Sequence, residues 1–338
     1  MIAALLFALH PVQTEAVTYI SGRSTSLMAM FYLGSIIAYI YGTETNRGAW
    51  LYLLSPALFM MAVLSKETGV TLPLALLLWT SIQNQKNWGV VLRMQIVYWA
   101  MFICILIVLI AHPNYGTLLE YSFDIRSLKD NLLSQINGVI YLISRLFMIN
   151  RLNIDPDLPV QSTWTFLLAV KLAMLLALIL TGMISLKRIP WLGFALLWFF
   201  LHLLPTNSVV PRLDVANERQ LYLPVWGIFL GLSIGMVRFQ TAFKGGKGFV
   251  QAVTLILLVI LGYFTAARNY TYRSEIALWE DTVRKSPQKA RVYNNLGYAY
   301  AIAGRNEEAK RAYLTALSLD PDYSLARNNL ARISGLNP

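Results

Sequence analysis

The 338-residue chain holds a single cysteine, Cys104, so no intrachain disulfide is available. That cysteine sits inside an apolar run, and the redox compartment stays unreadable from it. Charge is scarce as well. Asp, Glu, Lys and Arg make up 13% of the residues, against ~25% in ordinary soluble domains. A large soluble helical protein is therefore a poor reading. No Gly-rich nucleotide loop, His-x-x-x-His zinc pair or nucleophile elbow occurs. The net charge of +11 is spread along the chain without a recognition motif, which argues against nucleic acid as a partner.

What is abundant is apolar: 57% of residues are hydrophobic and the mean hydropathy is +0.53. Apolar runs lie near 25–41, 49–64, 70–82, 91–111, 165–185, 191–204, 221–238 and 249–266. Several approach the ~20 residues a helix needs to cross ~30 Å of hydrocarbon. The runs at 70–82 and 191–204 are short and need tilt or local thinning. The opening MIAALLFAL followed by His10-Pro11 is too short to span and has neither the basic start nor the cleavage site of a signal peptide. It reads as the second half of a transmembrane helix, and the expectation is a chain incomplete at its N-terminus.

Charge asymmetry gives an orientation. Connections at 42–48, 83–93, 186–190 and 238–247 carry Arg47, Lys86, Arg93, Lys187, Arg188, Arg238, Lys244 and Lys247 against the lone acid Glu44. The positive-inside rule places them in the cytoplasm. The alternation closes if residues 131–149 form an amphipathic helix lying in the interface rather than a span. Ser134, Asn137, Gly138, Tyr141, Ser144 and Arg145 share one side of it, and Leu133, Ile136, Val139, Ile140 and Ile143 lie opposite. The expected domains are a multipass region, 1–267, and a C-terminal segment, 268–338, on the outer face. The integral membrane is a bacterial inner membrane, or that of the endoplasmic reticulum in a eukaryote, with the tail periplasmic or lumenal.

That tail contains a full 34-residue helix–turn–helix repeat at 290–323. Tyr293, Leu296, Gly297, Tyr300, Ala309, Tyr313, Ala316 and Pro321 take the positions a tetratricopeptide repeat requires. Trp279 and Pro287 fit a preceding half-repeat, and Leu330 with Ala331 a following one. One repeat cannot bury its own apolar face, so stacking is expected, with a protein partner or acceptor docking on Tyr293, Asn294, Asn295 and Tyr300.

Polar residues gather in the outer connections, where ionisable groups at helix ends are functional candidates. His10 either caps the first helix or shapes a site. Glu15 and Arg23 either pair with each other or serve a site. Lys66 and Glu67, in Ser65-Lys66-Glu67-Thr68-Gly69, form either a solvated turn or a phosphate seat. Asp155 and Asp157 either cap helices or act chemically. Arg219 is either the ion-pair partner of Glu218 or a diphosphate clamp. His202, within an apolar run, reads as core.

HPVQTEAVTYISGRS, SKETGVTLP, WFFLHLLPTNS and NERQLYLP, in that order and followed by repeats, resemble the multipass glycosyltransferases of the GT-C class. The resemblance is in particular to the transmembrane O-mannosyltransferases with tetratricopeptide repeats and their bacterial relatives. It implies an all-α, polytopic helix bundle and transfer of a sugar from a polyprenyl-phosphate donor, itself a membrane lipid, to a protein hydroxyl. Lys66, Arg219, Arg23 and Arg212 would hold the donor phosphate, and His10, Glu15, Glu67, Glu218 and Tyr222 would shape the site. The catalytic Asp implied by the resemblance belongs to a first outer loop preceding Met1. Glu15 or Asp155 would be only substitutes for that base. The alternative is a non-catalytic, membrane-anchored repeat scaffold. The sequence leaves participation of a divalent metal open and offers no metal-ligand set.

Overall fold

The computed structural model describes residues 1–83, 87–243 and 246–335. Lys86 and Lys244, counted above among the basic connections, lie outside the described residues. Within the described residues the protein has sixteen α-helices and no strand.

The membrane part opens with the stub α1 (Ile2–Leu9) and the short α2 (Thr14–Thr18). Long α3 (Arg23–Glu44) then hairpins with α4 (Ser55–Ser65) through a π-helical turn at Trp50–Leu54. The pair is clasped deep in the bundle: the Ser35 hydroxyl lies 2.7 Å from the Ser55 carbonyl, and the Ser55 hydroxyl 2.6 Å from that of Ser35. Next come α5 (Leu72–Ile82), α6 (Trp88–Ala111), α7 (Pro113–Ile125), α8 (Leu128–Arg145), α9 (Phe166–Arg188) and α10 (Pro190–Leu203). The last two of the bundle are α11 (Tyr222–Ala242) and α12 (Gly246–Thr271). Five helices, α3, α6, α9, α11 and α12, are long and apolar enough to cross a membrane. The apolar stretches Trp50–Ser65, Glu67–Ile82 and Pro190–Leu203 are shorter. The chain is an integral membrane protein.

Helix ends follow local chemistry. Asn87, Ser127, Thr165 and Ser274 each accept a backbone N–H of the first turn with their side chains. Helices α10 and α11 approach closely because position 227 is glycine: a methyl there would overlap the Trp198 ring. The Trp198 indole N–H donates to the Leu223 carbonyl at 2.9 Å.

The α8 segment is amphipathic, as its periodicity predicts, but part of its polar side is turned into the protein rather than toward water. Asn131 donates to the carbonyls of Ser208 and Val209, Gln135 to that of Val215, and Tyr141 to Glu218. The irregular stretch between α10 and α11 carries backbone carbonyls that helical pairing does not satisfy, and α8 supplies their donors. Lys171 does not reach for water either; it donates to Asn137 at 2.7 Å.

The tail comprises α13 (Glu275–Lys285), α14 (Ala290–Ile302), α15 (Asn306–Leu319) and α16 (Ser324–Ile333). Helices α14 and α15 form the complete repeat, with α13 and α16 packed on either side. Gly297 lies against the Tyr313 ring, which is buried.

Candidate functional site

An open cleft of about 880 Å³ lies where the ends of α3, α4 and α11 meet the connection before α11, roofed by α7. Its wall carries four cations, Lys66, Arg212, Arg219 and Arg291, and two carboxylates, Glu67 and Asp214. Arg212 pairs with Glu67 at 3.1 Å. Arg291 pairs with Asp214. Among the described residues Lys66 has no carboxylate at ion-pair distance, and Arg219 has one long contact, its Nε 3.9 Å from the buried Glu15.

Lys66 is placed by a sharp change of backbone. Helix α4 ends at Ser65, Lys66 is extended, and a 3₁₀ turn over Glu67–Thr71 follows. Gly69 permits that turn to fold onto α4, since a Cβ there would crowd the Ala62 backbone at 3.1 Å. The Lys66 ammonium donates to the Thr25 hydroxyl at 2.6 Å. Burial pushes its pKa down to about 8, and the neighbouring Arg219 acts in the same direction. Lys66, Thr25, Arg219 and the buried His202 also line a pocket of about 20 Å³ beneath the cleft. His202 is core, as expected, bonded to the Tyr32 hydroxyl at 2.9 Å.

Arg219 rides on a capped turn. The Asn217 side chain accepts the Arg219 N–H at 3.1 Å, and Gln220 reaches back to the Asn217 N–H. Glu218 faces the other way and is no partner for Arg219. Its carboxylate is buried and accepts the Tyr141 hydroxyl at 2.8 Å and the Asn153 N–H at 2.9 Å. Glu15 lies buried beneath Arg219 and does not line the cleft. Among the described residues, neither carboxylate oxygen of Glu15 has a hydrogen-bond partner, nor do the buried Gln13 and Thr14 side chains. Burial drives the Glu15 pKa up to about 8 despite the opposing charge of Arg219.

Several sequence-predicted site residues stand elsewhere. Arg23 is exposed at the start of α3, outside the cleft lining, and makes no ion pair with Glu15. His10 is buried; its ring accepts the Val12 N–H and contacts the Leu146 carbonyl at 3.2 Å, joining the stub helix to α8. Tyr222 packs edge-on against Phe7, 5.1 Å between centroids. Asp155 is clamped by Lys289, just before the repeat, and Arg291 within it. Burial alone would raise its pKa, but those two cations outweigh it and hold the carboxyl below the usual range. A carboxylate held that way is a poor proton acceptor. Asp157 is exposed. On the repeat, Asn294 is buried and accepts from Asn329 at 2.9 Å, and the Tyr300 hydroxyl donates to Glu280 at 2.7 Å. Both are engaged inside the stack; Tyr293 and Asn295 are half-buried.

Sequence reasoning missed Thr25, Arg291 and the whole of α7. The signal for α7 was present: Tyr115, Leu118, Leu119 and Ser122, all lining the cleft, recur at helical spacing. Among the described residues no three His, Cys, Asp or Glu side chains gather as a metal set.

The tetratricopeptide repeat model matches residues 290–323. The chain is 26% identical to a protein O-mannosyl-transferase of Caenorhabditis elegans, over 95% of this chain and 46% of that protein. It is 26% identical to the protein O-mannosyl-transferase TMTC3 of Homo sapiens, over 98% of this chain and 40% of that protein. It is 28% identical to the human protein O-mannosyl-transferase TMTC4, over 93% of this chain and 48% of that protein. The chain thus spans less than half the length of these relatives. No solved structure matches it at a significant level. The resemblance carried by the four sequence blocks and the repeat stands: the homologues over most of the chain are protein O-mannosyl-transferases.

Proposed function

We propose that this chain forms the donor-binding part of an integral-membrane glycosyltransferase, which moves a sugar from a polyprenyl phosphate to a protein hydroxyl on the periplasmic or lumenal side. The observation that carries the reading is the pair Lys66 and Arg219, two cations at the ends of membrane helices, of which Arg219 has only a long 3.9 Å contact to the buried Glu15 and Lys66 has no ion-pair partner among the described residues. A phosphate entering between them meets an ammonium and a guanidinium already in place, which favours binding and stabilises charge on the departing phosphate. The relatives named as O-mannosyl-transferases support mannose as the sugar. Arg212, held by Glu67, would line the approach rather than grip the phosphate.

The base that takes the acceptor proton is not assigned here to a residue of this chain. Both acids of the cleft wall are engaged by arginines, Asp155 is clamped, and Glu15 is covered. That same observation favours a second reading, a membrane-anchored scaffold whose repeats bind proteins without transfer. Lys66→Ala and Arg219→Ala in the full-length protein separate the two. Under the first reading each substitution abolishes transfer to a protein acceptor and weakens prenyl-phosphate binding. Transfer that survives both changes rules out the assigned roles. Partner binding that is intact, in a protein with no transferase activity to lose, supports the scaffold.

A further inference from the structure

A second hollow, of about 610 Å³, lies between the repeat and the outer connections. One wall is the repeat: Arg291, Tyr323 and Leu325. The other is built from Val160, Leu213 and Tyr121. Tyr121, Leu213, Asp214 and Arg291 line both this hollow and the cationic cleft. The two hollows therefore adjoin, end to end, with the Arg291–Asp214 pair forming the sill between them, and together make a trough. From this geometry, and resting on the transferase reading above, we infer that the acceptor enters as an extended polypeptide lying in this trough, with its hydroxyl-bearing residue carried past Arg291 to the phosphate site.

The surface chemistry selects that occupant. Tyr121 (60% exposed), Val160 (53%), Leu213 (62%) and Leu325 (57%) put large apolar side chains on both walls. Apolar surface of that kind within a polar rim marks a docking site. The rim carries the exposed acids Asp157 and Asp320. Of the cations in the same lining, Lys289 and Arg291 are neutralised by Asp155 and Asp214, which leaves Arg126 against these two exposed acids and tips the hollow modestly toward a neutral or basic chain. A concave hollow of this volume takes a segment rather than the face of a folded domain. An extended segment points alternate side chains to opposite sides, which suits two apolar walls. The trough is also preformed, because Arg291 is held by Asp155 and Asp214 together, so little ordering cost falls on binding. One buried donor waits in the wall: the Arg126 Nε–H has no acceptor, while its other nitrogens serve Asn131 and the Arg212 carbonyl.

The test uses the full chain in lipid nanodiscs and a 12-residue synthetic probe with one central threonine flanked by valine and lysine. A photo-reactive phenylalanine analogue is placed at Val160, at Leu325 or, as control, at the exposed Leu314 on α15. The expected result is labelling of the peptide from the first two positions and not the third, competed by unlabelled peptide. Exchanging the probe's lysines for glutamates should weaken labelling about tenfold, the equivalent of roughly 1.4 kcal/mol. Leu325→Ser combined with Val160→Ser, which removes the apolar walls without adding charge, should raise the KM for the peptide about tenfold, with kcat and donor affinity unchanged. Equal labelling from Leu314, labelling of nanodisc lipid in place of peptide, or indifference to the probe's charge overturns the inference. If the protein transfers sugar but the trough positions do not label, the trough fails and the transferase reading survives. If the trough labels and no transfer occurs, the transferase reading fails and the docking site survives.

Discussion

If Lys66 holds the donor phosphate as proposed, its burial gives that binding a defined pH dependence. Its pKa in the free protein is lowered to about 8, first by burial and then by Arg219. Below pH 8 the ammonium is protonated before and after a phosphate arrives, and the affinity is flat. A bound phosphate restores the missing negative charge and returns the pKa toward the ordinary ~10.4. Between the two values binding takes up one proton, so Kd rises tenfold for each pH unit. Two units give up to about 100-fold, or roughly 2.7 kcal/mol, which lies within the ~1.5–3 kcal/mol of a charged hydrogen bond. The assay is titration of a short-chain prenyl phosphate into the nanodisc-embedded protein from pH 7 to 10, where the ligand's second ionisation, near pH ~6, is complete. Glu15 titrates over the same range beneath Arg219, so the measurement is made in a Glu15→Gln background to isolate the lysine. Lys66→Arg should flatten the profile because guanidinium keeps its charge throughout. Superimposable profiles for Lys66 and Lys66→Arg, or a flat profile for both, refute the reasoning.

Other outcomes are equally specific. The Glu15 pKa is raised to about 8 in the folded chain from ~4.3 unfolded, so its contribution to stability is complete below pH ~4.3 and is lost as pH rises through 8; thermal unfolding in detergent should show this decline, and Glu15→Gln should remove it. Asp155→Asn leaves Lys289 and Arg291 partly buried with only Asp214 between them; the expected cost is about 3 kcal/mol, read as faster proteolysis between the bundle and the repeat, with membrane insertion unchanged. A methyl at Gly297 would fall 2.7 Å from the Tyr313 ring, so Gly297→Ala should destabilise the repeat by about 1–3 kcal/mol, measured by hydrogen exchange in α14 and α15.

Much of the architecture was readable because each element carries its own periodic signal. The eight apolar runs correspond to the membrane helices and their shorter companions, and the 34-residue register marks α14 and α15 without ambiguity. The site was less legible, for a physical reason. Lys66 and Arg219 are neighbours only after α4, α5 and α11 have packed, and nothing local distinguishes them from Arg23, which points elsewhere. Pairing by adjacency failed in the same way: Glu218 precedes Arg219 in sequence, yet the turn that directs Arg219 to the cleft directs Glu218 to Tyr141 and Asn153. Asp155 reads as a candidate acid until the tail, more than a hundred residues later, supplies its two cations.

The bonds made by Glu218 also set the mechanics of the molecule. Arg291 of α14 grips Asp155; Asn153, two residues before it, gives its N–H to Glu218 and its side-chain amide to Ser286; and Glu218 is joined covalently to Arg219. A load applied to the repeat is thus delivered within a few links to the backbone that carries the Arg219 guanidinium. The tail is geared to the cleft rather than tethered beside it, so tension on the repeat and the position of Arg219 at the cleft are parts of one linkage.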